Sequence, residues 1–344
     1  MRPRWAAARA AAACALLLVS LARAGDAPGE RAAILASGPW PSAPVRDAAN
    51  PASGDPAGIA LGEALFHSPR LSPGGLRCAS CHEPWRSFAD GRVVAQGVAS
   101  GARNTPSLLD AARHRRYGWD GARDTLSAQC LRPLDDPREM PASAAHVAAL
   151  VRGDAALSAR YASVFGGPPE ADDARVEHAV GLALAAYVET LASPRAPFDD
   201  WRDRQAASPG DVAPSAAFPP AALRGLRLFA GRAGCTACHA GPTFSDDALH
   251  ASRVHSLDAD GRPDAGHPGP LPNAFRTPGL RGVAATAPYM HDGSAASLCD
   301  AVKPHATDAH ASPPELDAAQ RSDLVAFLRT LSPSPPDRDA DCGP

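Results

Sequence analysis

The chain has 344 residues, with 34 basic against 37 acidic side chains and a formal net charge of −3. That near balance lacks the basic footprint of a nucleic-acid-binding protein, and the length suits two ordinary domains. With 36 prolines and 29 glycines but only 5% aromatic residues, the composition predicts helices joined by long structured loops and argues against a sheet-rich fold.

In chain order, the first element is a leader. Arg2 and Arg4 precede an apolar run from Ala6 to Leu21, which closes on Ala22-Arg23-Ala24. This pattern predicts a signal peptide over residues 1–24, cut after Ala24, because a membrane anchor takes about 20 apolar residues and does not end in a small-x-small site. The mature chain is therefore expected in the periplasm, and no later segment reads as a membrane span. Next come Gly62-Glu63-Ala64-Leu65-Phe66 and then Cys78-Ala79-Ser80-Cys81-His82. The clearest helix follows at Val176 to Leu191, with Val176, Ala179, Val180, Ala183, Leu184 and Tyr187 on one face. Ala206 to Pro220 carries four prolines without periodicity and reads as a linker. Gly225-Leu226-Arg227-Leu228-Phe229 and Cys235-Thr236-Ala237-Cys238-His239 repeat the earlier pair of motifs. A final helix starts at the capping pair Asp317 and Gln320 and buries Leu324, Val325, Leu328 and Leu331. The expected organisation is mostly α: a signal peptide (1–24), an N-terminal domain (25–205), a linker (206–220), a C-terminal domain (221–332) and a disordered tail (333–344).

The two C-x-x-C-H pentads carry the chemistry. Two thiols three positions apart can bond the two vinyl groups of one porphyrin, and the histidine that follows points its imidazole at the iron. A structural zinc site takes four ligands and each pentad supplies three, while a thioredoxin-type C-x-x-C would need a βαβ setting that the pattern lacks. A Phe-x-Asp follows each pentad, as Phe88-Ala89-Asp90 and Phe244-Ser245-Asp246, so the pentads lie in what reads as an internal duplication. The sequence thus predicts two cytochrome c-like domains, each with a covalent haem c on Cys78, Cys81 and His82 or on Cys235, Cys238 and His239. Cys130, Cys299 and Cys342 remain, an odd number without a pattern.

From about Ile59 to Leu331 the sequence resembles the di-haem bacterial cytochrome c peroxidases, a superfamily that includes the MauG-type enzymes. The stretches that carry the resemblance are Leu61 to Phe66, Asn104-Thr-Pro-Ser-Leu108, Trp119-Asp-Gly121, Pro137-Arg-Glu-Met140, Arg276-Thr-Pro278 and Ala287-Pro-Tyr-Met-His-Asp-Gly293. It implies that the N-terminal haem is the peroxide site and the C-terminal haem a six-coordinate electron-transfer centre. Glu139 matches the family's acid-base glutamate, which takes a proton from bound peroxide and returns it to the leaving oxygen. Gln129 falls at a further pocket position, and Trp119 matches the tryptophan between the haems. Asn104, Thr286 and Pro288 match an interdomain calcium site, where an amide oxygen and backbone carbonyls suit a hard cation.

Two departures matter. Many of these peroxidases block the first iron with a histidine after the first pentad, and Phe88 to Leu109 contains none, so the first haem is expected to be open. The sixth ligand of the second haem is a methionine or tyrosine fourteen residues beyond the histidine of the His-Asp-Gly loop, and counting from His291 gives His305. Bis-histidine ligation by His239 and His305 is the leading expectation, with Met290 as the alternative ligand. His291 is expected near the second haem, while His67, His114, His146, His178 and His250 lack ligand spacing. The implied activity is reduction of hydrogen peroxide with electrons from a small soluble donor, a cytochrome c or cupredoxin. Two rivals stand beside it: a MauG- or MbnH-like oxidation of a tryptophan on a partner protein, and a plain di-haem electron carrier. Against a close MauG match, Ala233 stands two before Cys235, where that enzyme has a surface tryptophan.

Overall fold

The computed structural model describes residues 30–334 and Cys342, except for Ser42, 209–211, 253, 255, 257, 259–263, 265, 267, 269–270, 272 and 304–314. The expected signal peptide and His305 lie outside the described residues. The molecule is mostly helical, and among the described residues no helix is long and apolar enough to cross a membrane. Ten α-helices are described: α1 (Glu30–Leu35), α2 (Pro56–Phe66), α3 (Leu126–Asp135), α4 (Ala144–Gly153), α5 (Ala155–Phe165), α6 (Asp173–Val188), α7 (Pro197–Ala207), α8 (Pro220–Ala230), α9 (Leu298–Ala301) and α10 (Ala318–Arg329). A short antiparallel pair, β1 (Leu249–Ala251) and β2 (Ala274–Arg276), and several single 3-10 turns accompany them.

Two buried clusters organise the chain. In the first, α2, α4, α5 and α6 bury Leu61, Leu65, Val151, Tyr161, Val180 and Leu184, and all six positions predicted on the face of α6 are buried. In the second, α8 and α10 bury Leu226, Phe229, Leu324, Val325, Phe327 and Leu328. Asp317 starts α10 as predicted: its Oδ1 accepts from Gln320 N at 2.8 Å and its own N–H donates back to Gln320 Oε1 at 3.1 Å.

The duplication read in the sequence has a packing cause. A Cβ on Gly62 would stand 1.9 Å from the carbonyl oxygen of Ala183, and one on Gly225 would stand 1.8 Å from that of Asp323. Each repeat glycine thus lets its helix lie directly on a partner, α2 on α6 and α8 on α10, and the phenylalanine four residues later, Phe66 or Phe229, is buried.

The expected boundaries need correction. α7 begins before residue 205, yet its Phe198 and Trp201 belong to the second cluster, and so does Ile34 of α1. The 206–220 segment is no loose linker either: Phe218 stacks on Trp201 at 4.1 Å, and Trp201 Nε1 donates to Ala213 O at 2.6 Å. Asp199 and Arg281, 1% and 3% exposed at their side chains, pair through two hydrogen bonds of 2.9 and 3.0 Å and lock α7 to the second unit. Proline-rich sequence here marks irregular backbone that is packed, because aromatic burial outweighs the lack of regular structure. The expectation of a disordered tail fails at Cys342, which is buried and disulfide-bonded to Cys299. Cys130 remains a free thiol.

Candidate functional site: paired histidine clamps and the tryptophan between them

Each pentad folds into a single 3-10 turn, Cys78–Ser80 and Cys235–Ala237. The histidine N–H then donates to the first cysteine's carbonyl, His82 to Cys78 at 2.9 Å and His239 to Cys235 at 2.8 Å. The Phe-x-Asp repeat has a structural reason that the sequence did not disclose. Phe88 and Phe244 both take left-handed backbone (φ 58° and 57°), which turns their carbonyls back onto the imidazoles. His82 Nδ1 donates to Phe88 O at 2.9 Å and His239 Nδ1 to Phe244 O at 3.0 Å. With Nδ1 carrying the proton, Nε2 is left as the lone-pair donor, the arrangement that a metal-binding histidine needs. The repeat aspartates finish both loops alike, Asp90 Oδ1 accepting from Arg92 N and Asp246 Oδ1 from Ala248 N.

Burial pushes the Cys78 and Cys235 thiols up to about 12, and burial pushes Cys81 to about 11 with help from the charges of Asp90 and Glu139. Burial also lowers His82, keeping the imidazole neutral and able to ligate. Among the described residues the one cluster of ligand-type atoms is Cys238, Asp246 and His250, one short of the four that a closed structural zinc takes. Beside His239, a cavity of about 320 Å³ opens among Phe229, Leu298, Leu324 and Leu328, a largely apolar lining of the kind a porphyrin face requires.

Several predicted residues meet on that cavity's wall. Trp119, His291, Met290, Asn104, Thr286 and Pro288 all line it. Val302 and Lys303 do too, so the chain leaves the described residues at the cavity wall, two positions before His305. Trp119 sits where the two units meet. Its Nε1 donates to Asn104 O at 2.8 Å, its carbonyl accepts from Arg276 N at 2.8 Å, and its ring stands edge-on to His291 with centroids 6.5 Å apart. His291 stacks on Phe275 at 3.7 Å and shares a 2.8 Å hydrogen bond with Ser256. Asn104 Nδ2 donates to the carbonyls of Arg92 and Val93, which leaves Oδ1 as the atom able to face a cation.

Two ion clusters that sequence reasoning missed hold the Trp119 loop from both sides. Arg103 pairs with Asp120 at 2.7 Å and binds both oxygens of Asp264, at 2.7 and 2.8 Å. Arg103 holds the Asp264 carboxyl below its ordinary range against the opposing pull of burial, the larger single influence. On the other side His114 meets Asp247 at 3.0 Å, and Arg276 reaches both, 3.1 Å from His114 and 3.6 Å from Asp247. Burial keeps His114 on the neutral side despite that carboxylate. His250, also expected to be incidental, lines the cavity and bonds Asp246 at 2.7 Å. Nothing in local spacing marks the pairs that close the two clusters, since Arg103 and Asp264 lie 161 positions apart and His114 and Arg276 162 apart.

Near the first pentad, Glu139 lies in the loop between α3 and α4, away from the helix start that its local sequence suggests. It is close enough to Cys81 to raise that thiol, and its Oε1 accepts from Arg132 Nη1 at 2.8 Å. Arg132, at the end of α3, is a further residue that sequence reading passed over. Gln129 Oε1 is buried with no hydrogen-bond partner among the described residues, as expected of a polar atom reserved for a bound group. The orphaned amide and neutral histidine fit a haem at the first pentad, and the apolar cavity fits one at the second.

Comparison with known proteins agrees with this geometry. The sequence profile of a family described as di-haem cytochrome c peroxidase matches residues 56–207. The chain is 36% identical over 301 residues to the methylamine utilization protein MauG of Methylorubrum extorquens, covering 83% of this chain and 81% of that one. It is 31% identical to the cytochrome c551 peroxidase of Nitrosomonas europaea, covering 80% of each. The solved structure of the diheme peroxidase BthA from Burkholderia thailandensis superposes with a TM-score of 0.68 at 29% identity, over 80% of this chain and 86% of that one.

Proposed function

The chain belongs to the di-haem cytochrome c peroxidase family of oxidoreductases, and we propose that it reduces hydrogen peroxide in the periplasm with electrons from a small soluble redox protein, a cytochrome c or cupredoxin. The observation that carries this reading is the matched pair of histidine clamps, His82 on Phe88 O and His239 on Phe244 O, with Trp119 lodged where the two units meet. In this reading Cys78, Cys81 and His82 hold one haem c, and Cys235, Cys238 and His239 hold the other. The haems, when bound, supply the redox chemistry that cleaves peroxide and stores the oxidising equivalents.

The chain's own residues do the rest. Glu139 takes the proton from peroxide and returns it to the departing oxygen; Arg132, donating to its Oε1 at 2.8 Å, holds the side chain in place for both transfers. Gln129 offers a buried carbonyl to the same pocket. Trp119, its indole N–H held by Asn104 O, relays electrons between the two haems. His305, with Met290 as the alternative, would help to hold the second haem, which would receive the donor's electrons, and Asn104, Thr286 and Pro288 would hold an interdomain calcium ion.

A second reading is favoured by the 36% identity to a MauG protein: the peroxide-generated oxidant modifies a tryptophan on a partner protein. One experiment separates them. Purified protein is mixed with peroxide, its haem spectrum followed, and reduced cytochrome c or cupredoxin added. Rapid return to the resting spectrum with oxidation of the donor supports the peroxidase; a long-lived oxidised species that ignores both donors supports protein modification. A protein that leaves peroxide untouched is a plain electron carrier.

A further inference from the structure

The two pentads are followed by loops that differ in one respect. After His82 the chain runs Glu83-Pro84-Trp85-Arg86-Ser87-Phe88, and after His239 it runs Ala240-Gly241-Pro242-Thr243-Phe244, one residue shorter and without an aromatic at its tip. Trp85 is 77% exposed, the most exposed large apolar side chain among the described residues. The other described tryptophans are held: Trp40, Trp119 and Trp201 each donate their indole N–H to a backbone carbonyl. An indole left in water gains no burial energy and adds nothing to packing, so packing does not account for its place in one copy of a duplicated unit.

The loop that presents Trp85 is also the one that holds His82. Glu83 N donates to Ala89 O at 3.2 Å and Phe88 N to Glu83 O at 2.9 Å, closing a ring across the loop. Arg86 pairs with Glu83 at 3.0 Å, and Phe88 O accepts from the His82 imidazole. Trp85 lies three positions after His82, so their Cα atoms are within about 11 Å of each other at full extension. Indole and imidazole therefore sit on one braced turn, the first in water and the second half-buried.

We propose that Trp85 is a surface electron relay for the first haem site, through which the peroxide-oxidised protein oxidises electron-rich phenols too bulky to enter the pocket. The inference rests on the peroxidase reading. Peroxide takes two electrons and two protons and leaves as two waters, so the protein is two electrons short. Trp85 gives one electron to the oxidised centre, and its indole radical takes an electron back from a phenol at the surface. The phenol O–H breaks, its proton goes to water, and a phenoxyl radical leaves. A second phenol repeats the step, so two phenols are consumed per peroxide.

The test uses the holoprotein with peroxide and two donors, tyramine coupled to soluble dextran and reduced cytochrome c. The relay predicts that Trp85→Phe oxidises the dextran-bound phenol at least about 10-fold more slowly, a difference in barrier of about 1.4 kcal/mol. It also predicts that peroxide without donor places oxygen adducts on the peptide containing Trp85 ahead of the one containing Trp40, as read by peptide mass spectrometry. Trp40→Phe, which removes an indole outside this loop, should retain the phenol rate. An equal phenol rate in Trp85→Phe overturns the relay, as does native protein that oxidises cytochrome c but leaves the dextran-bound phenol untouched. Native protein that consumes no peroxide overturns the peroxidase reading and the relay with it.

Discussion

Asp199→Ala tests how the second site is built. Asp199 is 1% exposed and binds both Nη atoms of Arg281 at 2.9 and 3.0 Å; its Oδ2 also accepts from Ala196 N at 2.9 Å at the start of α7. Removing one member of a buried pair strands the other charge, a loss of about 3–5 kcal/mol, and the missing helix-start hydrogen bond adds about 0.5–1.5 kcal/mol. Little solvent reaches Arg281 to offset this, because its side chain is 3% exposed. The effect should reach the haem site too. Arg281 donates to Pro242 O and lies 5.7 Å over the Phe244 ring, and Phe244 O holds His239. Urea unfolding of the holoprotein, followed by far-ultraviolet circular dichroism and by the haem bands, should show the single variant at least about 3 kcal/mol less stable. The double variant Asp199→Leu with Arg281→Met should recover most of that loss, because an apolar pair leaves no stranded charge. A single variant within about 1 kcal/mol of the native protein would refute the reasoning.

The remaining predictions concern the haems and their ligands. Intact mass and pyridine haemochrome assay should find two covalent haems per chain; one or none would remove the basis of the account. If His305 binds the second iron, His305→Ala should abolish a low-spin bis-imidazole signal in electron paramagnetic resonance, and His305→Met should keep that haem six-coordinate while raising its potential. Loss of the low-spin signal in Met290→Leu, with none in His305→Ala, would assign the ligand to Met290 instead.

What the sequence disclosed was local. The pentads announce themselves because attachment and ligation need five consecutive residues, and α6 and the capped start of α10 follow from periodicity and one i,i+3 pair. The allegiance of α7 was not legible, since the Asp199–Arg281 pair spans 82 positions and the Trp201–Phe218 stack joins a helix to a segment that composition marks as a linker. The Phe-x-Asp repeat was visible as a pattern, but its cause, a left-handed turn that aims a carbonyl at the imidazole, needs backbone angles. The clusters around Trp119 were hidden for the same reason as α7: Arg103 finds Asp264 161 positions away, and Arg276 finds His114 162 positions away.

The central claim is that peroxide reacts at the first pentad with Glu139 moving the proton, and a single-turnover rate measures it directly. Native protein and Glu139→Gln, each shown to carry both haems, are mixed with peroxide and the initial spectral change is timed. The account predicts that the variant reacts at least about 10²-fold more slowly, whereas an equal rate would contradict it and return Glu139 to being only the partner of Arg132.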